Sequence, residues 1–193
     1  MASDLAPGFL VATPNLVDPN FARAVVLLVD HREEGSLGFI VNRPADIDFS
    51  NVVDELDLPG RPETAPAVPV MVGGPVSPHT GWIVYEQDHA LVASLDDGTI
   101  EVTPSLRVSA SRERLDELAR TPMARSHMLV LGYAGWGAGQ LDEEIRQGAW
   151  VPVSLDEQVI FRTPVEERWQ AALTQAGIDP RQLVGSAFGG PPN

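Results

Sequence analysis

Apolar and polar positions change period several times along the chain, and each change predicts an element. Gly8 to Ala12 is an apolar run that predicts a first strand. Turn-forming residues fill Pro14 to Asn20, where Asp18-Pro19 opens a single helical turn carrying Phe21. Ala24 to Asp30 and Leu37 to Asn42 are β-rich and flank His31 to Ser36, whose Glu34-Gly35 pair predicts a hairpin. Ala24 to Val29 is the longest apolar run. It is apolar on both faces, as a covered central strand should be, and far too short to cross a bilayer. Asp48 or Ser50 can cap a short helix with Val52, Val53 and Leu56 on its apolar side. Leu58 to Pro69 holds four prolines and reads as the longest loop.

Val70 to Val72 predicts a short strand ending at Gly73-Gly74-Pro75. Gly81 to Glu86, Ala90 to Leu95 and Thr99 to Val102 predict an antiparallel meander, with Asp97-Gly98 as its second turn. Ser109 or Ser111 caps a helix to about Arg120, with Leu115, Leu118 and Ala119 on one side and Pro122 blocking its continuation. His127 to Tyr133 is a buried strand that runs into a glycine-rich loop, and a short helix follows from Gln140 to Gln147. Trp150 to Val153 and Gln158 to Phe161 predict the last strands. Thr163-Pro164-Val165-Glu166 is a capping box with proline at the first helical position. The helix it opens places Val165, Trp169, Leu173 and Ala176 on one face, and Gly177 stops it.

The strands come in runs and do not alternate with the roughly four helices, which predicts an α+β fold with a mixed, mostly antiparallel sheet. Residues 1–185 are expected to form a single domain, with a disordered Gly/Pro tail over 186–193.

Composition narrows the chemistry. The 193 residues are 44% apolar, enough for a core without staples. No cysteine is present, which removes thiolate metal sites and cysteine nucleophiles. All 13 basic residues are arginine, so there is no phosphate-loop lysine and no Schiff-base chemistry. Against them stand 27 acids, for a net charge of −14. That balance repels polyanions and argues against direct nucleic-acid binding. Met1 to Pro7 has neither the cationic nor the apolar segment of a secretory signal, so a cytoplasmic protein with no membrane partner is expected.

Three sequence-distant blocks end strands with residues of unusual backbone freedom or charge: Asn42-Arg43-Pro44, Gly73-Gly74-Pro75, and Tyr133 to Trp136 within the run Gly132 to Gln140. Gly135-x-Gly137-x-Gly139 is one residue short of a dinucleotide fingerprint, since Gln140 stands where the third glycine should be. Asp142, Glu143 and Glu144 already answer the dipole of the helix it would open. The run is therefore read as a tight turn packed around Trp136, with no cofactor implied. The four histidines, His31, His79, His89 and His127, form no metal-ligand pattern, and no G-x-S-x-G elbow occurs. Arg107 to Arg125 is the only basic stretch and reads as a solvated helix laced with salt bridges.

Several blocks, taken in order and spacing, resemble the YqgE/AlgH family over nearly the whole chain. They are Ala12-Thr13-Pro14 with Asp18-Pro19-Asn20-Phe21, Gly38 to Pro44, Val72 to Val76, Leu131 to Trp136, Gly139 to Ile145, Trp150, and Thr163-Pro164 with Arg168-Trp169. The family often has lysine where this chain has Arg43. The resemblance implies an α+β fold with a bifurcated or barrel-like sheet and a label of transcriptional regulator, and it supplies no catalytic residues. Two functions are then expected. One is a non-enzymatic cytoplasmic binding or regulatory protein, acting through a protein partner or small ligand and not by direct DNA binding. The other is a small-ligand binder or enzyme whose site gathers Asn42, Arg43, Gly73, Gly74, Tyr133 and Trp136.

Overall fold

The computed structural model describes residues 5–60, 67–87, 98–120 and 126–186. The chain divides into two compact units, Met1–Asn42 with Ala134–Asn193, and Arg43–Tyr133.

The first unit is built on antiparallel strands. β1 (Gly8–Ala12) lies between β2 (Val25–Arg32) and a later strand, Trp150–Ser154, and β2 pairs in turn with β3 (Gly35–Ile40). The predicted hairpin is present, with Glu33-Glu34 as its turn and Arg32 opposite Gly35. Alternation along these strands gives two buried faces. One gathers Leu10, Val26, Leu28, Ile40, Trp136 and Trp150, and it is covered by Leu141 of the helix Gln140–Arg146. Phe9, Val11, Val25, Leu27 and Phe39 alternate with that set and are also fully buried. The helix Arg168–Gln175 packs against β1, β2 and Trp150–Ser154, burying Trp169, Ala172 and Leu173.

The second unit has α1 (Phe49–Glu55), β4 (Val70–Val72), β5 (Val76–Glu86), β6 (Thr99–Glu101), β7 (Leu106–Ser109) and α2 (Arg112–Arg120). β8 (His127–Gly137) supplies its residues up to Tyr133 to this unit. There β4 pairs with β8 in parallel, and the other pairings, β5 with β7 and β8 and β6 with β7, are antiparallel. Asn51 accepts a hydrogen bond from the Asp48 backbone at 3.0 Å where α1 begins, and at the start of α2 the Ser111 hydroxyl accepts from the Arg114 backbone at 3.3 Å. The core of this unit joins Phe49, Val53, Val70, Ile83, Tyr85, Leu118 and Leu129.

The fold is α+β with mixed, mostly antiparallel pairing, as the sequence predicts. Helices α1 to α6 run through the described residues: α1, α2, α3 (Gln140–Arg146), α4 (Glu157–Phe161), α5 (Arg168–Gln175) and α6 (Pro180–Ser186). β9 is Trp150–Ser154. Four local expectations are corrected. Gln158 to Phe161 is helical, because the Asp156 carboxylate accepts from the Gln158 backbone at 2.9 Å and starts a turn. The glycine run continues β8 as far as Gly137, since Gly137, Trp136, Gly135 and Ala134 pair with Gly35 to Gly38, leaving only Ala138-Gly139 as a turn. The Thr163 hydroxyl donates back to the Gln158 carbonyl at 3.2 Å and makes no capping box. A 3-10 turn, Val165–Glu167, then precedes α5. Leu106–Ser109 is a strand that the sequence reading passes over. The predicted strand Ala90 to Leu95, Asp97 of the following turn, residues 61–66 of the predicted proline-rich loop, Pro122 and the tail from 187 lie outside the described residues. No helix of the described residues is long and apolar enough to cross a membrane.

Candidate functional site

The six residues singled out from sequence are divided between the units. Asn42 and Trp136 belong to the first, and Arg43, Gly73, Gly74 and Tyr133 to the second. In the second unit the Arg43 carbonyl accepts from Val72 at 2.8 Å, and the Gly73 amide donates to Leu131 at 2.7 Å. A Cβ on Gly73 would lie 2.3 Å from Val130 Cγ1 and 2.4 Å from the Gly132 carbonyl. Gly132 itself has φ +72, and a Cβ there would come within 2.7 Å of the Gly74 carbonyl. Close backbone approach thus accounts for glycine at both positions. Tyr133 meets Trp82 edge-on, ring centroids 6.4 Å apart. In the same unit His127 stacks on Tyr85, and its pKa is lowered by burial, with Arg114 adding to the effect and Glu86 opposing it.

In the first unit Trp136 and Trp150 share one carboxylate. Both indole N–H groups donate to the same oxygen of Glu144, at 2.9 and 2.8 Å, while Gln140 donates to the other at 2.9 Å. Phe21 stacks on Trp136 and meets Trp150 edge-on. The predicted turn that carries Phe21 is formed, with Asp18 accepting from Asn20, Phe21 and Ala22.

A serine, a histidine and an aspartate also line up in this unit. Ser36 Oγ is 2.7 Å from His31 Nδ1, and His31 Nε2 is 3.6 Å from Asp142. The second distance is longer than a hydrogen bond, so Asp142 does not orient the imidazole as a general base requires. Ser36 also stands in a paired position of β3, opposite His31 and Trp136.

The first unit carries a cleft of about 770 Å³. It is lined by Pro14, Arg23, Trp169, Gln170, Thr174 and the turn from Gly177 to Arg181. This volume lies in the range of small-molecule sites. Arg23 follows the Phe21 turn in left-handed backbone, φ +55. A non-glycine residue there costs on the order of 1–3 kcal/mol, which the surroundings must offset. They do so by pinning the chain on each side. Asn42 Oδ1 accepts from Val25 at 2.7 Å and its Nδ2 donates to the Arg23 carbonyl at 2.8 Å, while Ala24 donates to Phe21 and accepts from Ala12. The result points the exposed Arg23 guanidinium over the Trp169 ring, 4.6 Å from its centroid.

Trp169 is fixed in turn: it is buried, and its indole N–H donates to the Ala12 carbonyl at 2.8 Å. Beside it Arg168 is buried and donates to the carbonyls of Thr163 and Val41. Burial pushes its guanidinium down to about 10, with Glu166 pulling the other way, so it remains cationic at neutral pH. Arg181, exposed, also lines the cleft and stands 3.9 Å from Asp179, whose carboxylate accepts from the Arg181 backbone at 2.9 Å. Among the described residues, no carboxylate forms an ion pair with Arg23. Of the six predicted residues, Asn42 joins this arrangement, through the Arg23 backbone.

A family profile described as AlgH-like matches residues 9–181. The chain is 42% identical over 180 residues to a UPF0301 protein of Anaeromyxobacter dehalogenans, covering 91% of this chain and 90% of the relative. It is 39% identical over 184 residues to a UPF0301 protein of Burkholderia mallei, covering 95% and 94%. The solution structure of the AlgH protein from Pseudomonas aeruginosa superposes with a TM-score of 0.75 at 31% identity, over 100% of this chain and 99% of that one. A crystal structure from Corynebacterium diphtheriae shares the fold, with a TM-score of 0.75 at 23% identity over 95% and 93% of the two chains.

Proposed function

The chain belongs to the AlgH-like family, and on that premise we propose that it is a cytoplasmic, non-enzymatic binding protein whose ligand is a small molecule held in the Arg23–Trp169 cleft. One observation carries the reading. An arginine is held in costly left-handed backbone, and the hydrogen bonds around it serve to present its guanidinium on a buried indole at the wall of a ligand-sized cleft. Strained backbone held in place by its surroundings clusters at ligand clamps and switch sites, and that association supports the reading. Any regulatory effect, of the kind the family's transcriptional label implies, is then carried by the ligand or by a protein partner that responds to it, not by DNA contact.

The test is a two-dimensional ¹⁵N–¹H spectrum of the full chain, recorded with mixtures of small organic compounds at about millimolar concentration, where weak sites saturate. The expected result is saturable displacement of the Trp169 indole and Arg23 amide signals with no chemical change in the bound compound. Displacements confined to the second unit would move the site to Arg43, Gly73, Gly74 and Tyr133, and turnover of a bound compound would make the protein an enzyme. Either outcome overturns the reading.

A further inference from the structure

Resting on that cleft, we infer that the ligand is a small monocarboxylate with an apolar body, its carboxylate taken by the Arg23 guanidinium. The charge balance fixes the ionic part. The cleft holds two guanidinium groups, Arg23 and Arg181, and one carboxylate, Asp179, in a chain whose net charge is −14. The surplus is one positive charge, which matches a monoanion. A dianion such as phosphate would face Asp179 without a second free cation, because Arg181 is already drawn toward that carboxylate at 3.9 Å.

The geometry fixes the form of the anion. The Arg23 guanidinium carbon stands 4.6 Å from the Trp169 ring centroid with no carboxylate paired to it among the described residues, and a guanidinium edge of two parallel N–H groups fits the two oxygens of a carboxylate. Arg23 can supply that edge at low ordering cost, because its backbone is pinned by Asn42 and its side chain rests on a ring that is itself hydrogen-bonded to Ala12. The rest of the wall fixes the body. Pro14, Trp169, Ile178 and Pro180 are apolar, and Gln170 and Thr174 add neutral polar groups on one side of α5. Such a lining favours a hydrocarbon or aromatic body over a sugar or a second ionised group.

The experiment titrates the ¹⁵N-labelled full chain with 3-phenylpropanoate, with its uncharged amide and with inorganic phosphate, and repeats the titrations on Arg23→Gly and Arg23→Lys. The carboxylate is expected to move the Trp169 indole and Arg23 signals saturably. The amide and phosphate are each expected to bind at least about tenfold more weakly, a loss on the scale of one charge-assisted pair. Glycine accepts φ +55 without strain, so Arg23→Gly is expected to keep or raise the urea midpoint while losing at least about tenfold in carboxylate affinity. That pairing separates recognition from packing, because a merely structural arginine would lower the midpoint. Arg23→Lys, with a point charge in place of the fork, is expected to fall between the two. Equal binding of acid and amide would overturn the monocarboxylate and leave the cleft as a site for neutral ligands. Tighter binding of phosphate would overturn it in favour of a dianion. No displacement at Trp169 by any probe, at concentrations where the general screen succeeds, would overturn it as well. Failure of that screen too would remove the cleft reading itself.

Discussion

Arg23 and Glu144 are single residues that each organise more atoms than their own. Arginine is not a residue from which positive φ is read, so no local signal marks position 23, and its partner Trp169 is far away in sequence. Asn42, by contrast, is legible as unusual because it ends a buried strand, although its role is to hold the backbone of Arg23 and Val25. Glu144 is read from sequence only as an acid in a first turn, yet one of its oxygens receives two indole N–H groups. Removing it with Glu144→Ala leaves both donors without that acceptor in a part-buried setting. The expected cost is about 1–3 kcal/mol in unfolding free energy, the range for an unmade hydrogen bond in such surroundings. Glu144→Gln keeps one carbonyl oxygen for the indoles and should cost clearly less. Urea titration of the two variants checks this, and equal losses would show that the carboxylate's charge matters more than its geometry.

At the level of elements, what is legible follows from how local the signal is. β1, the β2–β3 hairpin, β4 and α2 are found because apolar runs, a short turn and serine caps lie within a few residues of one another. Gln158 to Phe161 fails because a short apolar run fits a strand or a helical turn equally, and Asp156 alone decides it. The β8 glycines fail because glycine is depleted in strands generally, whereas here Gly135 and Gly137 pair with Leu37 and Gly35. α5 is predicted, but only as a core helix. Val165 and Ala176, expected on its buried face, lie just outside it and stay partly or fully exposed, and Trp169, Ala172 and Leu173 carry the packing. Trp169→Ala should therefore cost about 3–5 kcal/mol, as for other large aromatic truncations in a core. Trp169→Phe keeps most of the ring but loses the bond to Ala12, and should cost about 1 kcal/mol from that bond alone. Chemical denaturation measures both. An unchanged midpoint for Trp169→Ala would show that α5 is held elsewhere.

For the molecule as a whole, charge is the property that bears most on function. Specific DNA binding draws heavily on neutralising phosphates with Lys and Arg, and the affinity falls steeply with salt. Here the net charge is −14, and from Pro62 to Leu106 the chain carries six acids and no base. Arg107 to Arg125 is the one basic stretch, and three of its five arginines are already engaged. Arg107 meets Glu101 at 3.3 Å, Arg112 meets Asp116 at 2.9 Å, and Arg114 meets Glu117 at 2.9 Å. A phosphate would have to displace these carboxylates one by one, and each displaced acid would then repel it. These pairs cancel the field that would draw a polyanion in. Fluorescence anisotropy of random duplex DNA at about 50 mM salt, where phosphate attraction is exaggerated, should therefore show no binding at micromolar protein. Tight, salt-sensitive binding that disappears in Arg112→Ala/Arg114→Ala would place the protein among DNA-binding regulators. A flat titration leaves any effect on transcription to pass through the ligand cleft or through another protein.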